Sequence, residues 1–529
     1  MNTNRIFFMF FCVISTILIS CNRQEGQPNI IFIMSDDHAW QAVSAYGSRL
    51  AEVAPTPNID RIAENGMRFG RCYVTNSICG PSRATILTGK YSHLNGFTEN
   101  EKSSFDGSQQ TFPKLLQAAG YQTAMIGKWH LGSNPTGFDF WDILPGQGNY
   151  YNPDFINEDG QYRVEGYVTD IITEKSLGWL KEAQQNEKPF MLMMHHKAPH
   201  RNWQPDSEYL GSFKNVVFPE PETLFDDYSG RGRAEKEQDM TISESMRLAG
   251  DLKMYPDTNN LGYRMFARRL NDEQLEKWKA YYQPQIDKFM EEDPQSDDLV
   301  RFKYQRYMDD YLSCIRSVDE SVGKVLDYLK ESGMAKNTIV VYTSDQGFYL
   351  GEHGWFDKRW MFEESLRTPL IVSWPGKTKP GSINNEMVSN LDFAETFLEA
   401  AGIPVPEDMQ GESLVPVLKG STPGDWRNEY YYHYYEYPGW HYVKRHYGIT
   451  TGRYKLIHFY YDINEWELFD MEKDPHEMKN VYDDPAYAEV KAELHERLDK
   501  LMENYGDSEE LAKSYIPTEP PRINYRQRD

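Results

Sequence analysis

The chain has 529 residues, 40% hydrophobic and 14% aromatic, which is the composition of a globular protein with one large core or two domains. Its formal net charge of −24 argues against nucleic acid and anionic membrane surfaces as partners. An anionic ligand would therefore need positive charge that is concentrated locally at its site.

The N-terminus has the pattern of an export signal. Arg5 precedes an apolar run over residues 6–19, which is too short for an ordinary membrane-spanning helix and fits the hydrophobic part of a signal peptide. Leu18-Ile19-Ser20-Cys21 resembles a bacterial lipobox, in which residues 1–20 are removed and Cys21 is lipidated. A plain signal peptide cut nearby is the alternative. Both predict an exported protein, periplasmic or at the cell surface. In the lipobox case, a lipid on Cys21 would be its only membrane contact.

The cysteine pattern predicts no disulfide framework. Of five cysteines, Cys12 and Cys21 lie in the export signal and Cys79 in a motif described below. Cys72 and Cys314 remain, and we predict that both are buried thiols, with a disulfide between them as the alternative.

Four short apolar runs, each followed by polar residues, define the main domain. Runs of this length between polar residues are typical of buried strands. The strands and the polar residues after them are 29–34 with Ser35, Asp36, Asp37 and His38; 120–126 with Gly127, Lys128 and His130; 189–194 with His195, His196, Lys197 and His200; and 338–342 with Ser344, Asp345 and Gln346.

Helical patterns lie between these runs, over residues 58–66, 111–119, 168–183 and 309–331, and again over 390–401. Strands that alternate with helices predict an α/β domain, a large and mostly parallel sheet between layers of helices. Ligands of such sheets bind outside the carboxyl ends of the strands. The four polar clusters are therefore expected to meet at one active site.

Two further regions differ from this pattern. Within the main domain, placed at residues 26–420, residues from about 219 to 297 are acidic, Met-rich and helix-forming. We predict an inserted helical excursion on the surface, which either shapes substrate access or is a solvated decoration. Residues 421–529 contain aromatic-rich strands and a helix from about 485 to 505, which predicts a small C-terminal antiparallel sheet with a packed helix.

The stretch Cys79-Gly80-Pro81-Ser82-Arg83 is interpreted as a loop that runs into a helix. Pro81 suits a first helical turn, and the N–H groups of such a turn favour an anion beside Cys79. Arg83 adds a fixed positive group. Considered alone, Cys79 would be a buried thiol.

Asp36, Asp37, Asp345 and Gln346 supply three carboxylates and an amide oxygen at two strand ends. Oxygen ligands of this kind suit Ca²⁺ or Mg²⁺ rather than zinc. An Asp-Asp pair at one strand end is more often a turn or a helix cap, but two acidic strand ends beside an anion site favour a metal. A divalent ion there would polarise a bound sulfate or phosphate.

Basic side chains complete the candidate site. Lys128, His130, His200 and Lys358 are candidates for oxyanion binding and proton transfer. Of His195 and His196, one is expected to face the site and the other the core. His38 and His353 are either supports for the site or structural.

At this point the sequence resembles a known family. Cys79-x-Pro81-Ser82-Arg83 is similar to the sulfatase signature, and from about residue 28 to 481 the chain resembles formylglycine-dependent type I sulfatases of the alkaline-phosphatase-like superfamily. The resemblance implies that fold. It implies that Asp36, Asp37, Asp345 and Gln346 bind calcium together with the oxidised side chain of Cys79. Many relatives carry Asn where Gln346 stands.

The resemblance also implies roles for the remaining residues. A maturation enzyme oxidises Cys79 to Cα-formylglycine, which Arg83 stabilises. Lys128 and Lys358 bind the sulfate, His130 is the base and His200 lies near the leaving oxygen. One hydroxyl of the hydrated aldehyde attacks sulfur to give a covalent sulfo-enzyme, and loss of the proton from the other eliminates sulfate.

Two stretches indicate the substrate. Residues 88–95 and Phe356-Asp357-Lys358-Arg359 resemble the corresponding parts of N-acetylglucosamine-6-sulfatases and related 6-O-endosulfatases. The expected substrate is a sulfated carbohydrate of the glycosaminoglycan or mucin type, with 6-O-sulfated N-acetylglucosamine as the leading candidate. Aromatic and imidazole groups of the C-terminal sheet suit a sugar, or else they form a Tyr-rich core: Tyr434, Tyr435, Trp440, His441 and His446.

Two other functions stay open at this stage. A phosphatase or phosphonate hydrolase of the same superfamily would use Thr or Ser with a second, His-rich metal site, and Cys79 in its signature argues against it. A non-catalytic glycan-binding lipoprotein would have lost site residues, and none of the matched set is missing.

Overall fold

The computed structural model describes residues 26–101, 103–255, 258–516 and 518, so the predicted export signal with Cys12 and Cys21 lies outside the described residues. The strands in the described part are β1 (Asn29–Ser35), β2 (Met67–Tyr73), β3 (Gln122–Lys128), β4 (Phe140–Leu144), β5 (Asp154–Asn157), β6 (Gly160–Arg163), β7 (Phe190–His196), β8 (Thr338–Ser344), β9 (Tyr349–Leu350), β10 (Phe356–Asp357), β11 (Arg367–Thr368), β12 (Leu370–Ser373), β13 (Ser382–Ser389), β14 (Tyr430–Tyr434), β15 (His446–Thr450), β16 (Tyr454–Phe459) and β17 (Glu465–Asp470).

Helices connect and cover these strands. Those in the described residues are α1 (Pro57–Glu64), α2 (Cys79–Thr88), α3 (Ser92–Asn95), α4 (Phe112–Ala118), α5 (Val168–Ala183), α6 (Ala234–Glu237), α7 (Leu261–Ala267), α8 (Asp272–Glu292), α9 (Ser296–Glu331), α10 (Glu363–Leu366), α11 (Phe393–Ala400), α12 (Val415–Leu418), α13 (Ala488–Asn504) and α14 (Glu509–Ser514).

The main sheet has the strand order β11-β2-β12-β8-β1-β7-β3-β4-β5-β6, with β13 paired to β2. Its five central strands, β8-β1-β7-β3-β4, are parallel to one another. Antiparallel pairs lie on both sides of them: β12 with β8, and β5 with β4 and β6. The predicted α/β class with a mostly parallel sheet is confirmed.

Helices cover both faces of the sheet, and this explains why its strands are apolar throughout. In β1, Ile31 and Ile33 point to one buried layer, whereas Phe32 and Met34 point to the other. Strands covered on both faces lose the alternation of polar and apolar residues. Helices α1, α5 and α9 lie on the first face, and α2, α4 and α11 on the second.

The register aligns the strand ends that carry the polar clusters. Met34 in β1 lies opposite both His195 in β7 and Thr343 in β8, and Gly127 in β3 also lies opposite His195. These strands are parallel, so their carboxyl ends meet at one edge of the sheet. The residues that follow them, predicted to converge, do so there.

The segment predicted as an insertion contributes to the main core. Residues 219–297 hold α6, α7, α8 and the start of α9, a helix that begins at Ser296 rather than near residue 309. Phe266, Trp278 and Tyr282 are buried in the same apolar layer as α5 and α9. The described part of this segment is therefore packed against the domain.

The C-terminal region is the predicted small antiparallel sheet, in the order β14-β15-β16-β17, with α13 packed against it. Cys72 and Cys314 are free, buried and in different apolar layers, so the prediction of two buried thiols is confirmed. Within the residues described, the search for a helix with the length and apolar character of a membrane span finds none.

Candidate active site

A cluster of buried oxygens lies at the carboxyl edge of the sheet. Asp36 and Asp37 directly follow β1, and Asp345 and Gln346 directly follow β8. The three aspartates are fully buried, and each offers a carboxylate oxygen within 4.8 Å of the others. Asp37 has a φ of 67°, and its N–H donates to Asp345 Oδ1 at 3.2 Å. The structure thus brings the four residues predicted as metal ligands together.

The chemistry of this cluster fits a hard cation. Asp36 Oδ1 and Gln346 Oε1 are buried and have no hydrogen-bond partner in the described part of the chain. Buried oxygens are normally paired, and all the donors here are oxygens, as Ca²⁺ and Mg²⁺ prefer. The Gln346 amide donates Nε2 to Asp37, and the opposite amide orientation would present Oε1 to the same place.

Each of these carboxylates also contacts a basic side chain. Lys128 Nζ donates to Asp36, and Lys358 Nζ donates to Asp37 at 2.5 and 2.7 Å. Arg83 donates from Nε and Nη2 to Asp345 Oδ2 at 3.0 and 2.7 Å. Three negative and three positive groups therefore share a site shielded from water, where unpaired charge would be costly.

The electrostatic balance differs between the two aspartates. Burial alone would raise the pKa of Asp36, but attraction to Lys128 and Arg83 holds it well below its usual range. Burial and the neighbouring carboxylates raise the pKa of Asp37 to about 7 in spite of Lys358. Asp36 is therefore the firmly ionised member of the pair.

Cys79 is the first residue of α2, a helix whose ten residues are all buried. Its Sγ lies within 4.8 Å of an Asp36 oxygen and a His200 nitrogen. Burial and the nearby Asp36 raise the pKa of the Cys79 thiol well above its usual value. The thiol stays protonated at neutral pH, so it is a poor nucleophile.

The residues in the first turns of α2 make more hydrogen bonds than the sequence indicated. Gly80 N–H donates to Asn100 Oδ1 at 2.9 Å, and Arg83 donates from Nη1 to the Lys128 carbonyl at 2.7 Å as well as to Asp345. Arg83 therefore links the ends of β3 and β8 instead of presenting a free positive fork. Its effect on position 79 is exerted through these partners.

Two imidazoles line the cavity together with Cys79. His130, at a φ of 56°, has a buried Nδ1 without a hydrogen-bond partner among the described residues. His200 donates from Nδ1 to the Arg201 carbonyl at 2.5 Å, which leaves Nε2, 3.7 Å from Asp37 Oδ2, unprotonated. Burial and Lys128 lower the pKa of both residues, so both rings are neutral.

A cavity of about 660 Å³ opens above these groups. Cys79, His130, His200 and Lys358 lie on its surface. One wall contains Tyr150, Lys197 and residues of the 219–297 segment. A second wall contains residues next to β10 and β14, and Arg201 contacts it at His441. The side chains of this second wall are Asp357, Arg359, Glu436, Trp440 and His441.

Arg201, which lines the cavity, and its partner Asp251 were not singled out from the sequence. His441 was among the groups predicted to meet a sugar, and Asp357 and Arg359 were named only within the substrate stretch. Asp251 fixes Arg201 with two hydrogen bonds of 2.7 Å, and Arg201 Nη1 lies 3.1 Å from His441 Nε2. His441 Nε2 also lies 3.2 Å from Asp357, which pairs with Arg359. No pattern in the sequence indicated that Arg201 and Asp251 would pair or that Arg201 would contact His441.

Other predicted groups have structural surroundings. Neither His195 nor His196 lines the cavity: His195 Nδ1 lies 3.2 Å from the Lys128 carbonyl, and His196 Nε2 lies 3.2 Å from Ser321 Oγ. His38 contacts Tyr342, and His353 contacts Asp226 and Arg231. Of the aromatic and imidazole groups predicted to meet a sugar, Trp440 and His441 face the cavity, whereas Tyr434, Tyr435 and His446 pack in the interior.

Comparison with known proteins gives the class to which this fold and site belong. Residues 28–403 match the family model described as Sulfatase, and residues 351–504 match that of the C-terminal part of N-sulphoglucosamine sulphohydrolase. The chain belongs to the sulfatase family, and it is an enzyme that hydrolyses sulfate esters. A non-catalytic glycan-binding role is set aside.

Particular relatives agree with this class. The chain is 54% identical to the N-acetylglucosamine-6-O-sulfatase of Bacteroides thetaiotaomicron, over 94% of this chain and 91% of that one. It is 27% identical to human N-acetylglucosamine-6-sulfatase, over 76% of this chain and 66% of the human one. A solved structure in complex with its substrate D-glucosamine-2-N,6-O-disulfate superposes with a TM-score of 0.88, at 53% identity, over 91% of this chain and 99% of that one.

Proposed function

We propose that this sulfatase removes the 6-O-sulfate group from glucosamine-type sugars of glycosaminoglycans or mucin-type glycans, with N-acetylglucosamine 6-sulfate as the leading substrate. The observation that carries the proposal is the set of buried carboxylates, lysines and histidines around Cys79 at the base of a cavity of about 660 Å³. The activity of the relative that is 54% identical supports the choice of sugar.

The acidic cluster is proposed to hold Ca²⁺, with Mg²⁺ as the alternative, through Asp36, Asp37, Asp345 and Gln346 together with the modified side chain of residue 79. Cys79 is proposed to be oxidised to Cα-formylglycine by a maturation enzyme. When present, the ion offsets the charge of a sulfate ester and the hydrated aldehyde supplies a nucleophilic hydroxyl. Intact-mass analysis tests the conversion, since it removes about 18 Da from the cysteine.

The surrounding residues then have separate tasks. Lys128 and Lys358, both buried with Nζ at the carboxylate cluster, neutralise the sulfate oxygens. His200 Nε2 is the nitrogen that faces the cluster, so it is the one that lies near the leaving oxygen of the ester. His130, with its unpaired Nδ1, accepts a proton at position 79. Arg83 holds Asp345 and the end of β3 in place.

The second wall of the cavity suits a sugar ring. Asp357 and Arg359 offer acceptors and donors for hydroxyl groups, and Trp440 offers an aromatic surface against which a ring can pack. These three side chains come from the β10 region and the C-terminal region.

A panel of sulfated monosaccharides tests the proposed substrate. Sulfate release from N-acetylglucosamine 6-sulfate should be faster than from galactose or uronate sulfates. A clear preference for 4-, 3- or 2-O-sulfate would contradict the 6-O assignment but not the membership of the sulfatase family.

The proposed location is outside the cytoplasm, either periplasmic or at the cell surface, with a lipid on Cys21 as the membrane anchor. The support for it is the sequence pattern of residues 5–21. The anchor would be supported if the protein incorporates a labelled fatty acid and if the substitution Cys21→Ser abolishes this incorporation. Export of the protein without label would instead indicate a plain signal peptide.

A further inference from the structure

Lys197 is a buried lysine that has no role in the proposed reaction. It directly follows β7, is 4% exposed and lines the cavity. Its Nζ lies 4.8 Å from the centroid of the Tyr150 ring, and it has no hydrogen bond or ion pair with any residue that the structure describes. The other buried lysines in the described residues each donate to an oxygen: Lys128, Lys253, Lys303, Lys358, Lys444 and Lys455.

A largely buried ammonium group without an acceptor is costly, because it has lost most of its water and has gained no hydrogen bond from the protein. Burial and the nearby charge of Lys128 accordingly lower the pKa of Lys197 to about 7. An anion that entered the cavity beside Lys197 would remove this cost. The arrangement therefore points to a ligand rather than to a role in folding.

The wall that contains Lys197 has basic side chains, whereas the second wall has both acidic and basic ones. Arg269, from the end of the α7 segment, donates to the Asn152 carbonyl at 2.9 Å and to Asp154 at 2.5 Å, just beyond Tyr150. Arg268, the residue before Arg269, also lines the cavity. It is exposed and has no ion-pair partner among the residues described. The second wall carries Glu101, Asp357 and Glu436, and its Arg359 is paired with Asp357.

This concentration of positive charge is unusual in a chain with a net charge of −24. The sulfate ester that is cleaved already has Lys128 and Lys358, both of which lie against the acidic cluster. Lys197 has no contact with Asp36 or Asp37 within 4 Å in the described structure. The basic wall is thus available to a different anionic group.

We propose that Lys197, deep in the cavity, and Arg268, at its rim, form a second anion subsite that binds a sulfate or carboxylate of the substrate other than the ester that is cleaved. The proposal rests on the proposed function, in that the substrate is a 6-sulfated glucosamine. A deep position suits an N-sulfate on the same sugar ring. A position at the rim suits a carboxylate or sulfate on the neighbouring sugar.

The test compares matched substrates on the matured, metal-loaded enzyme. Lys197→Met should lower kcat/KM about tenfold for glucosamine-2-N,6-O-disulfate and by less than about twofold for N-acetylglucosamine 6-sulfate, since only the first offers a second anion. Lys197→Arg keeps the charge and should preserve the selectivity. Lys303→Met removes another buried lysine, remote from the cavity, and should leave the selectivity unchanged.

The rim is tested with Arg268→Gln on 6-sulfated disaccharides with and without a uronate carboxylate. The variant should lose about fivefold in kcat/KM only on the acidic disaccharide, and the loss should shrink at high salt. Arg264→Gln, an exposed arginine of the same helix that does not line the cavity, is the matched control. Because Arg268 is exposed, its removal should not affect folding.

The results distinguish failure of the second anion subsite from failure of the 6-O-sulfatase assignment. Equal losses on the paired substrates, or no change in selectivity in Lys197→Met and Arg268→Gln, would overturn the second subsite while the 6-O-sulfatase assignment stands. If the unaltered enzyme releases sulfate from none of these 6-sulfated sugars, both proposals fail. An effect of Lys197→Met alone assigns the anion to the same sugar, and an effect of Arg268→Gln alone assigns it to the neighbour.

Discussion

At the scale of single residues, the chemistry depends on what surrounds Cys79. A thiol with a pKa raised by burial and by Asp36 is unreactive at neutral pH. A nucleophile other than this thiol is therefore needed at position 79, and the proposed conversion to Cα-formylglycine would supply one.

The first prediction concerns the substitution Cys79→Ser in a host that does not oxidise serine. The new hydroxyl can attack sulfur slowly, but it has no second hydroxyl on the same carbon, so sulfate cannot be eliminated. A covalent adduct of roughly 80 Da should accumulate on the peptide that carries the substitution, with at most one alcohol released per enzyme. Peptide mass spectrometry detects it.

Cys79→Ala is the control for this experiment and should show neither adduct nor turnover. In the matured enzyme, His130→Ala should also accumulate an adduct, because the proposed base is absent. Sustained turnover by the serine variant would contradict the proposed mechanism and favour one in which serine is the nucleophile.

The second prediction concerns the metal. Removal of divalent ions by a chelator should abolish sulfate release, because three buried carboxylates and an amide oxygen are left without the cation they suit. Ca²⁺ or Mg²⁺ should restore activity, and Asp345→Asn should weaken the restoration. Restoration by Zn²⁺ alone would show that the ligand assignment is wrong and would favour a phosphatase-like site.

At the scale of helices and strands, the backbone conformation of Gly127 in β3 affects where residues of the active site lie. Its φ is +104°, and a Cβ there would collide with the carbonyl oxygen of His195 in β7. Lys128 and His130 follow directly. The close approach of β3 to β7 therefore sets where these two side chains lie.

The third prediction is that Gly127→Ala destabilises the protein and impairs sulfate release together. Gly120→Ala, at a φ of +95° with open space around it, is the matched control. The control should cost roughly 1–2 kcal/mol from backbone strain alone. Gly127→Ala should cost about 1–3 kcal/mol more because of the collision. Urea unfolding of both variants measures the difference, and equal costs would contradict the argument.

Sequence patterns predicted the parts of the fold and site that depend on local order along the chain. Apolar runs such as residues 29–34 predicted the central strands, and the polar residues after them predicted the converging cluster with Asp36 and Asp345. These predictions worked because parallel strands place their carboxyl ends together.

No sequence pattern indicated which distant segments of the chain are in contact. Asp251 fixes Arg201 from fifty residues away, and His441 reaches Asp357 from a different sheet. Short or partly exposed strands such as β5 and β6 were also missed, since they lack an apolar run. The packing of residues 219–297 into the core likewise depends on tertiary contacts, which periodicity does not report.

At the scale of the whole molecule, the C-terminal sheet completes the cavity and is held to the main domain by buried polar groups. Glu436, Trp440 and His441 come from the connection between β14 and β15. Arg427 pairs with the buried Asp392, next to α11, at 2.6 and 2.9 Å. The cavity therefore exists only when the two parts are docked.

The last prediction concerns Asp507, which follows α13 and joins three parts of the chain. Its Oδ2 accepts hydrogen bonds from Tyr431 at 2.8 Å and from His433 Nδ1 at 2.8 Å, and it lies 3.6 Å from His93 Nδ1. Burial opposes ionisation, but the hydrogen bond and charge of His433, with His93, lower the pKa of Asp507 below its usual value. A depressed carboxyl pKa stabilises the folded state above the unfolded-state pKa of about 4 and loses this effect as the pH falls through the folded-state value.

Asp507→Asn should therefore lower the free energy of unfolding by about 2 kcal/mol at pH 7, because a charged acceptor of two buried donors is replaced by a neutral amide. The difference in the free energy of unfolding between Asp507→Asn and the unaltered protein should be largest at pH 7 and persist to about pH 5. It should become smaller below that pH as the native carboxylate approaches protonation. Thermal unfolding at pH 7, 5 and 4 measures it, with the exposed Asp499→Asn as the matched control. A difference that grows as the pH falls would have the wrong sign for a stabilising carboxylate, and it would show that the docking of the C-terminal helix does not depend on this group.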